Sequence, residues 1–243
     1  MKRPVIGITS DIELIDCAEP LRPFYQLDSA IVSSITQCGG IPLLLPHNTQ
    51  CIDDYIDLID GFVISGDNYR FTDPQLFPEL ETNQGQGDTP LFKINRTRFE
   101  LELARQLLHL DIPTLAICAG YQILNLAAGG SLIVSLTEEL ATDIQHRQTD
   151  PLNIATHEVL IPEDTLMRKI VGRERIQINS LHSQGINIAE SAKISAVAED
   201  GLVEAIEIPN KKFCMGTQWH PEFLAEPGDE KILKAFISAS QDI

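Results

Sequence analysis

Thr114-Leu115-Ala116-Ile117-Cys118-Ala119-Gly120 is a short apolar run that turns abruptly into small residues. A strand with one wet face alternates; a run apolar on both faces suits a parallel sheet covered by helices on both sides. Pro113 closes the connection that leads into it. Upstream, Val5-Ile6-Gly7-Ile8, Ile41-Pro42-Leu43-Leu44-Leu45-Pro46 and Phe62-Val63-Ile64-Ser65 read as three more buried strands. Between them the apolar residues take helical spacing. Leu27 to Cys38 carries Ile31, Ile35 and Cys38 and is stopped by Gly39-Gly40. Asp53 to Ile59 places Tyr55, Ile56 and Ile59 on one side, and Lys93 to Leu110 gathers Ile94, Phe99, Leu103, Leu107 and Leu110. Strand and helix in strict alternation predict a doubly wound α/β fold, whose sites form at the carboxyl ends of the strands. The two informative ends are Gly66 and Cys118.

The C-terminal third changes character. Ile194 to Glu199 and Leu202 to Ile208 flank Asp200-Gly201, a strong hairpin signal. Pro209-Asn210 makes a second turn into Phe213-Cys214-Met215-Gly216-Thr217, so an antiparallel β meander is expected, followed by a helix over Lys231 to Ala239. Asp67 to Pro90 shows no period; stretches of that kind inside a compact domain are usually functional or mobile. With no linker and no internal repeat, residues 1–243 are expected to form one domain.

The 243 residues are 43% hydrophobic and 22% charged, an ordinary soluble composition that excludes disordered, collagenous and coiled-coil chains. Eighteen basic against 35 acidic residues leave a net charge of −17, which repels phosphate backbones and anionic headgroups. Neither nucleic acid nor a membrane surface is an expected partner. No apolar run approaches the ~18–20 residues of a membrane span, and the apolar start stops at Asp11, too short for a secretory signal. The five cysteines, Cys17, Cys38, Cys51, Cys118 and Cys214, are odd in number and contain no CxxC. A reduced, cytoplasmic protein is expected, without disulfide framework or zinc site.

One of those cysteines has a chemical setting. A nucleophile elbow needs small residues two before and two after the nucleophile, and Ala116 and Gly120 supply them around Cys118. There the thiol meets a helix N-terminus, whose free N–H groups favour thiolate and can bind an oxyanion. The plain alternative is a buried core cysteine. The second element is Gln218-Trp219-His220-Pro221-Glu222. In extended chain residues two apart face one side, so Glu222 can orient the His220 imidazole. Alone this would be a surface His beside a surface Glu. Cys38, Cys51 and Cys214 read as packing residues. His47, His109, His146 and His157 have no ligand-like spacing to one another, and there is no HExxH, P-loop or GxGxxG. No metal or cofactor is expected.

Taken in order, Cys118-Ala119-Gly120-Tyr121-Gln122, Asn125, Gly129-Gly130-Ser131, Asn179-Ser180-Leu181-His182-Ser183-Gln184, the run Ala198 to Glu207, and Gln218-Trp219-His220-Pro221-Glu222 resemble the class I glutamine amidotransferase core. They are most similar to its free-standing γ-glutamyl-γ-aminobutyrate hydrolase branch, over Val5 to about Phe236. The resemblance implies a flavodoxin-like sheet and a cytoplasmic cysteine hydrolase of polyamine catabolism. It implies a Cys-His-Glu triad that cleaves a γ-glutamyl amide: Cys118 as nucleophile, His220 as base and then acid, Glu222 as orienting carboxylate. Ala119 and Gly66 would supply the oxyanion-hole N–H groups, and Gln122 would touch the glutamyl part. Asn179, Ser180 and His182 would lie near the substrate. The partners implied are a small-molecule substrate and, at most, a second copy of the chain. Two departures bear on the leaving amine. Ala119 stands where the branch usually has Arg, and Gly66 to Pro74 lacks the usual Gly-Gly start, with Arg70 as a candidate replacement cation.

Two other readings share these residues. A glutaminase subunit would pass ammonia to a separate synthetase, and a binding protein on the same fold would catalyse nothing. The intact Cys, His and Glu speak against the second, and the lack of a fused synthetase against the first.

Overall fold

The computed structural model describes residues 2–15, 22–66 and 91–241, the side chains of 91 and 92 excepted. The Asp67 to Pro90 stretch, Arg70 within it, and Cys17 lie outside the described residues.

In chain order the elements are β1 (Val5–Thr9), β2 (Asp11–Ile15), β3 (Arg22–Gln26), α1 (Ser29–Gln37), β4 (Ile41–Leu45), α2 (Ile52–Leu58) and β5 (Gly61–Ile64). There follow α3 (Leu91–Leu110), β6 (Thr114–Ile117), α4 (Ala119–Ala127), β7 (Ser131–Ile133), α5 (Leu136–Glu139), β8 (His157–Leu160), α6 (Leu166–Val171) and β9 (Arg175–Ile178). The rest are β10 (Gly185–Asn187), β11 (Lys193–Ala198), β12 (Val203–Glu207), β13 (Cys214–Thr217) and α7 (Pro227–Gln241).

One nine-stranded sheet has the order β4-β1-β5-β6-β13-β12-β11-β8-β9. The strands from β4 to β13 pair in parallel. Taken by themselves they have the 2-1-3-4-5 order of flavodoxin-like doubly wound sheets. Helices cover both faces, as the unbroken apolar runs predict. Ile6, Ile8, Val63, Leu115 and Ile117 pack with Ile31 and Ile35 of α1 and Ile232 and Phe236 of α7. The intervening Ile64 and Ala116 pack with Leu101 and Ala104 of α3 and Ile123 of α4. Period-2 alternation thus feeds two dry layers rather than one.

The meander extends further than expected. β12, β11, β8 and β9 follow one another antiparallel, and β13 is antiparallel to β12 on one edge but parallel to β6 on the other. That dual role welds the meander to the parallel half and sets the strand before His220 beside the strand before Cys118. β8 and β9 are four residues each, too short for their alternation to stand out. The β2–β3 hairpin and the β7–β10 ladder were likewise not anticipated. Among the described residues no helix is long and apolar enough to cross a membrane.

Candidate active site

Cys118 sits between β6 and α4 at φ 52°, ψ −107°. A side chain rarely takes positive φ; such strain persists only where the surroundings impose it, and it clusters at functional sites. Here its N–H is held by the Thr217 carbonyl at 2.8 Å while the chain turns directly into α4. The turn presses position 120 against β5: a Cβ there would lie 2.0 Å from the Ile64 carbonyl oxygen. Gly120→Ala is therefore expected to cost roughly 2–4 kcal/mol, at or above the upper end of ordinary overpacking. Urea unfolding monitored by circular dichroism measures it; a midpoint equal to wild type would contradict the close approach.

His220 follows β13 at the adjacent strand end. Its Nδ1 lies 2.8 Å from Glu222 Oε1. The geometry is not the extended one expected from the sequence. Pro221 opens a 3₁₀ turn over Pro221–Phe223, and the carboxylate comes back to the imidazole from that turn. Pro is pre-set for the first position of such a turn, which explains the departure. Burial alone would push the imidazole toward its neutral form. The Glu222 carboxylate first, and then Cys118, outweigh it and hold His220 well above the usual histidine range. The side of the ring away from Glu222 is buried, and a hydrogen bond with Cys118 is among the influences that raise it.

Both residues open on a cavity of about 380 Å³, lined among the described residues by Gly66, Cys118, Ala119, Gln122, His182, His220 and Glu222 among others. That is within the range of small-ligand sites. Gly66 is wedged between the pair: a Cβ on it would lie 3.1 Å from His220 Cε1 and 3.5 Å from Cys118 Cβ. Ala119 is the first residue of α4, so its N–H has no intrahelical acceptor. Gln122 lies one turn on and donates to Gln218 Oε1 at 3.0 Å.

Asn179 and Ser180 stand behind this cavity rather than in its wall. Asn179 clamps the His220 backbone, accepting from its N–H at 2.8 Å and donating to its carbonyl at 2.9 Å. The Ser180 hydroxyl donates to the His146 carbonyl at 2.7 Å. Of that stretch, Leu181, His182, Ser183 and Gln184 reach the cavity.

Two supports were not read from the sequence. Gln218 Nε2 points at the Cys118 sulfur from 3.7 Å; its signal is a polar residue, fully buried, two places before His220. The Gly66 turn is held by Arg96, which donates to the Gly66 carbonyl at 2.8 Å and pairs with Glu100 at 3.0 Å. Thr9 completes this buried network, donating to Glu100 at 2.6 Å and accepting from the Ser65 N–H at 3.0 Å. An Arg and a Glu four apart on a core-facing helix were the available clue. His146 and His157, without ligand-like spacing in sequence, are brought into edge contact, with ring centroids 5.1 Å apart.

Comparison with known proteins gives the family and the fold. The Peptidase C26 family matches residues 4–222. The chain belongs to that family. It is 33% identical to a glutamine amidotransferase-like protein of Rickettsia prowazekii, covering 100% of this chain and 99% of the relative. It is 30% identical to the gamma-glutamyl-gamma-aminobutyrate hydrolase of Escherichia coli K12, over 99% of this chain and 95% of that one. Among solved structures, a GMP synthase protein of Thermoplasma acidophilum aligns with a TM-score of 0.65 at 15% identity, covering 99% and 96% of the two chains. A glutamine amidotransferase of Thermotoga maritima aligns at 0.56 and 14%, covering 91% and 77%. The fold is therefore that of the class I glutamine amidotransferases, and membership in Peptidase C26 makes the chain a hydrolase by class.

Proposed function

We propose that the chain hydrolyses a γ-glutamyl amide to glutamate and a free amine through a Cys118 thioester. The observation that carries this reading is the joint geometry of a strained cysteine at a helix start and an imidazole that is paired with Glu222 through one nitrogen and influenced by Cys118. Cys118 sulfur attacks the γ-carbonyl carbon, and the carbonyl oxygen takes up the electron pair facing the Ala119 and Gly66 N–H groups. The His220 imidazolium gives its proton to the amide nitrogen as the C–N bond breaks, releasing the amine. Neutral His220 then takes a proton from water as the water oxygen attacks the thioester. The C–S bond breaks and glutamate leaves. Glu222 holds the ring throughout and exchanges no proton with substrate.

Arg147 and Asp28 both line the cavity and offer opposite charges to a zwitterionic glutamyl head. The neutral Ala119 beside the nucleophile leaves the choice of amine open to a substrate panel. The purified chain, assayed alone on γ-glutamyl-GABA, related γ-glutamyl amines and free glutamine, tests the proposal. Amine release from at least one γ-glutamyl amine, faster than ammonia release from glutamine, is expected. Preference for glutamine would favour the glutaminase reading, and turnover of none would favour a binding protein.

A second expected outcome concerns thiol reactivity. Cys118 opens on the cavity at a helix N-terminus, where nucleophilic cysteines are found. Burial raises Cys38 and pushes Cys214 up to about 12, so both should stay unreactive. Brief iodoacetamide labelling near pH 7, read by mass spectrometry, should modify Cys118 first. Labelling of Cys214 ahead of it would mean that the elbow thiol is inert.

A further inference from the structure

Behind the cavity wall a fully buried carboxylate is ringed by three imidazoles. Glu204 of β12 is 0% exposed, and His146 and His182 are each 5% exposed. Glu204 Oε1 lies 3.1 Å from His146 Nδ1 and 3.5 Å from each of His182 Nε2 and His157 Nε2. These three nitrogens and both Glu204 oxygens are buried, yet none has a hydrogen-bond partner of acceptable geometry. Unsatisfied buried groups are costly one at a time and more so in a cluster.

The far sides of two rings explain what the near sides offer. His146 Nε2 is 2.8 Å from Asp200 Oδ2, and His182 Nδ1 is 3.0 Å from the Gln184 carbonyl oxygen. Both partners only accept, so each of those nitrogens carries the hydrogen. In the neutral tautomers His146 Nδ1 and His182 Nε2 then present lone pairs toward a carboxylate, an arrangement that calls for a cation between them. Burial opposes a charged His146, but Glu204 and then Asp200 hold it above the usual histidine range, so a proton is the cation that a metal ion would displace. A ring whose outer N–H is tied to a carboxylate or a backbone carbonyl is also the usual support of a metal-binding histidine.

The spacing fits the same conclusion. Nitrogen and oxygen donors about 2.0–2.1 Å from a tetrahedral ion stand roughly 3.3 Å from one another. The three oxygen-to-nitrogen separations bracket that value, and the His146, His182 and Glu204 donor atoms all lie within 4.8 Å of each other. We propose that His146 Nδ1, His182 Nε2 and Glu204 bind a divalent transition-metal ion of the zinc class. With its three donors buried, such a site is structural. It ties strand β12 and the segment around His146 to His182, a residue of the cavity wall, and thereby fixes that wall. Sequence spacing does not disclose this group because its convergence is tertiary.

The test uses full-length protein, freed of any tag, stripped with a chelator and titrated with Zn²⁺ or Co²⁺. One equivalent should bind, with a tetrahedral Co²⁺ absorption band and no thiolate charge-transfer band. The melting temperature should rise by about 5–10 °C at a hundredfold excess over Kd. Cys118→Ala should keep the cobalt spectrum and Glu204→Gln should lose it, with His182→Gln as second variant should Glu204→Gln not fold. Absence of stoichiometric uptake by the wild type would overturn the site and leave a proton on His146 as the cation. A cobalt spectrum abolished by Cys118→Ala would move the metal to the thiol and equally overturn it.

Discussion

Cys118→Ala should lower kcat on the preferred γ-glutamyl amide by ~10⁴-fold or more, while the variant folds as the wild type does. Removing the nucleophile of a covalent mechanism leaves only binding and the oxyanion donors, and typically costs many decades in rate. The fold should tolerate the change because the elbow rests on the close approach of Gly120 to Ile64 and on the Cys118 N–H to Thr217 bond, and neither involves the sulfur. The strain offers an internal check. Alanine at φ 52°, ψ −107° is as strained as cysteine, whereas glycine is not. Cys118→Gly should then be at least as stable as Cys118→Ala, reversing the usual order. Thermal unfolding gives the stabilities and steady-state kinetics the rates. A folded Cys118→Ala protein with wild-type hydrolysis of every γ-glutamyl amide tested would remove the thioester from the mechanism.

The strain at Cys118 also marks what a sequence can disclose. Its local cause was legible: small residues at 116 and 120 around a cysteine after an apolar strand announce a tight turn. The parallel half of the sheet was legible for a similar reason, since burial on both faces leaves an unbroken apolar run, as in Gly61–Ile64 and Thr114–Ile117, each fully buried. β8 and β9 escaped because each is a four-residue strand that gains its stability from neighbours distant in the chain. β13 was legible as a strand but not as the seam between parallel and antiparallel halves, because pairing direction is a tertiary property.

The site divides along the same line. His220 and Glu222 are two apart, and a short separation constrains them whether the chain is extended or, as found, turned by Pro221. Asn179 was singled out with its neighbours and sits 41 positions from the His220 backbone that it clamps. Arg96 lies 30 positions from Gly66, and Glu204 gathers histidines 58, 47 and 22 positions earlier, as numbering alone shows. No local pattern brings such groups together. What the sequence offers in each case is a polar residue that burial would leave unsatisfied without a partner, and only the fold names the partner.

Glu222→Gln separates an orienting carboxylate from a bystander. The amide keeps a hydrogen bond to His220 Nδ1 but loses the charge that stands first among the influences raising this imidazole. Two consequences follow. Stabilisation of the imidazolium weakens, so kcat should fall by roughly 10–10⁴-fold, less than for Cys118→Ala, by the precedent of orienting carboxylates in other triads. The pH profile should also move. In the proposed mechanism His220 carries a proton to the leaving amine, so the alkaline limb of kcat/KM should report loss of that proton. In the wild type the limb should lie well above the ordinary histidine value of about 6.5. In Glu222→Gln burial still favours the neutral ring while its main opponent is gone, so the limb should shift to lower pH and narrow the active range from above. Binding of a slow γ-glutamyl analogue should change little if, as proposed, Glu222 exchanges no proton with substrate. A pH–rate profile with kcat within about twofold of wild type from pH 6 to 9, and an unmoved alkaline limb, would remove Glu222 from the triad and leave a Cys118–His220 pair.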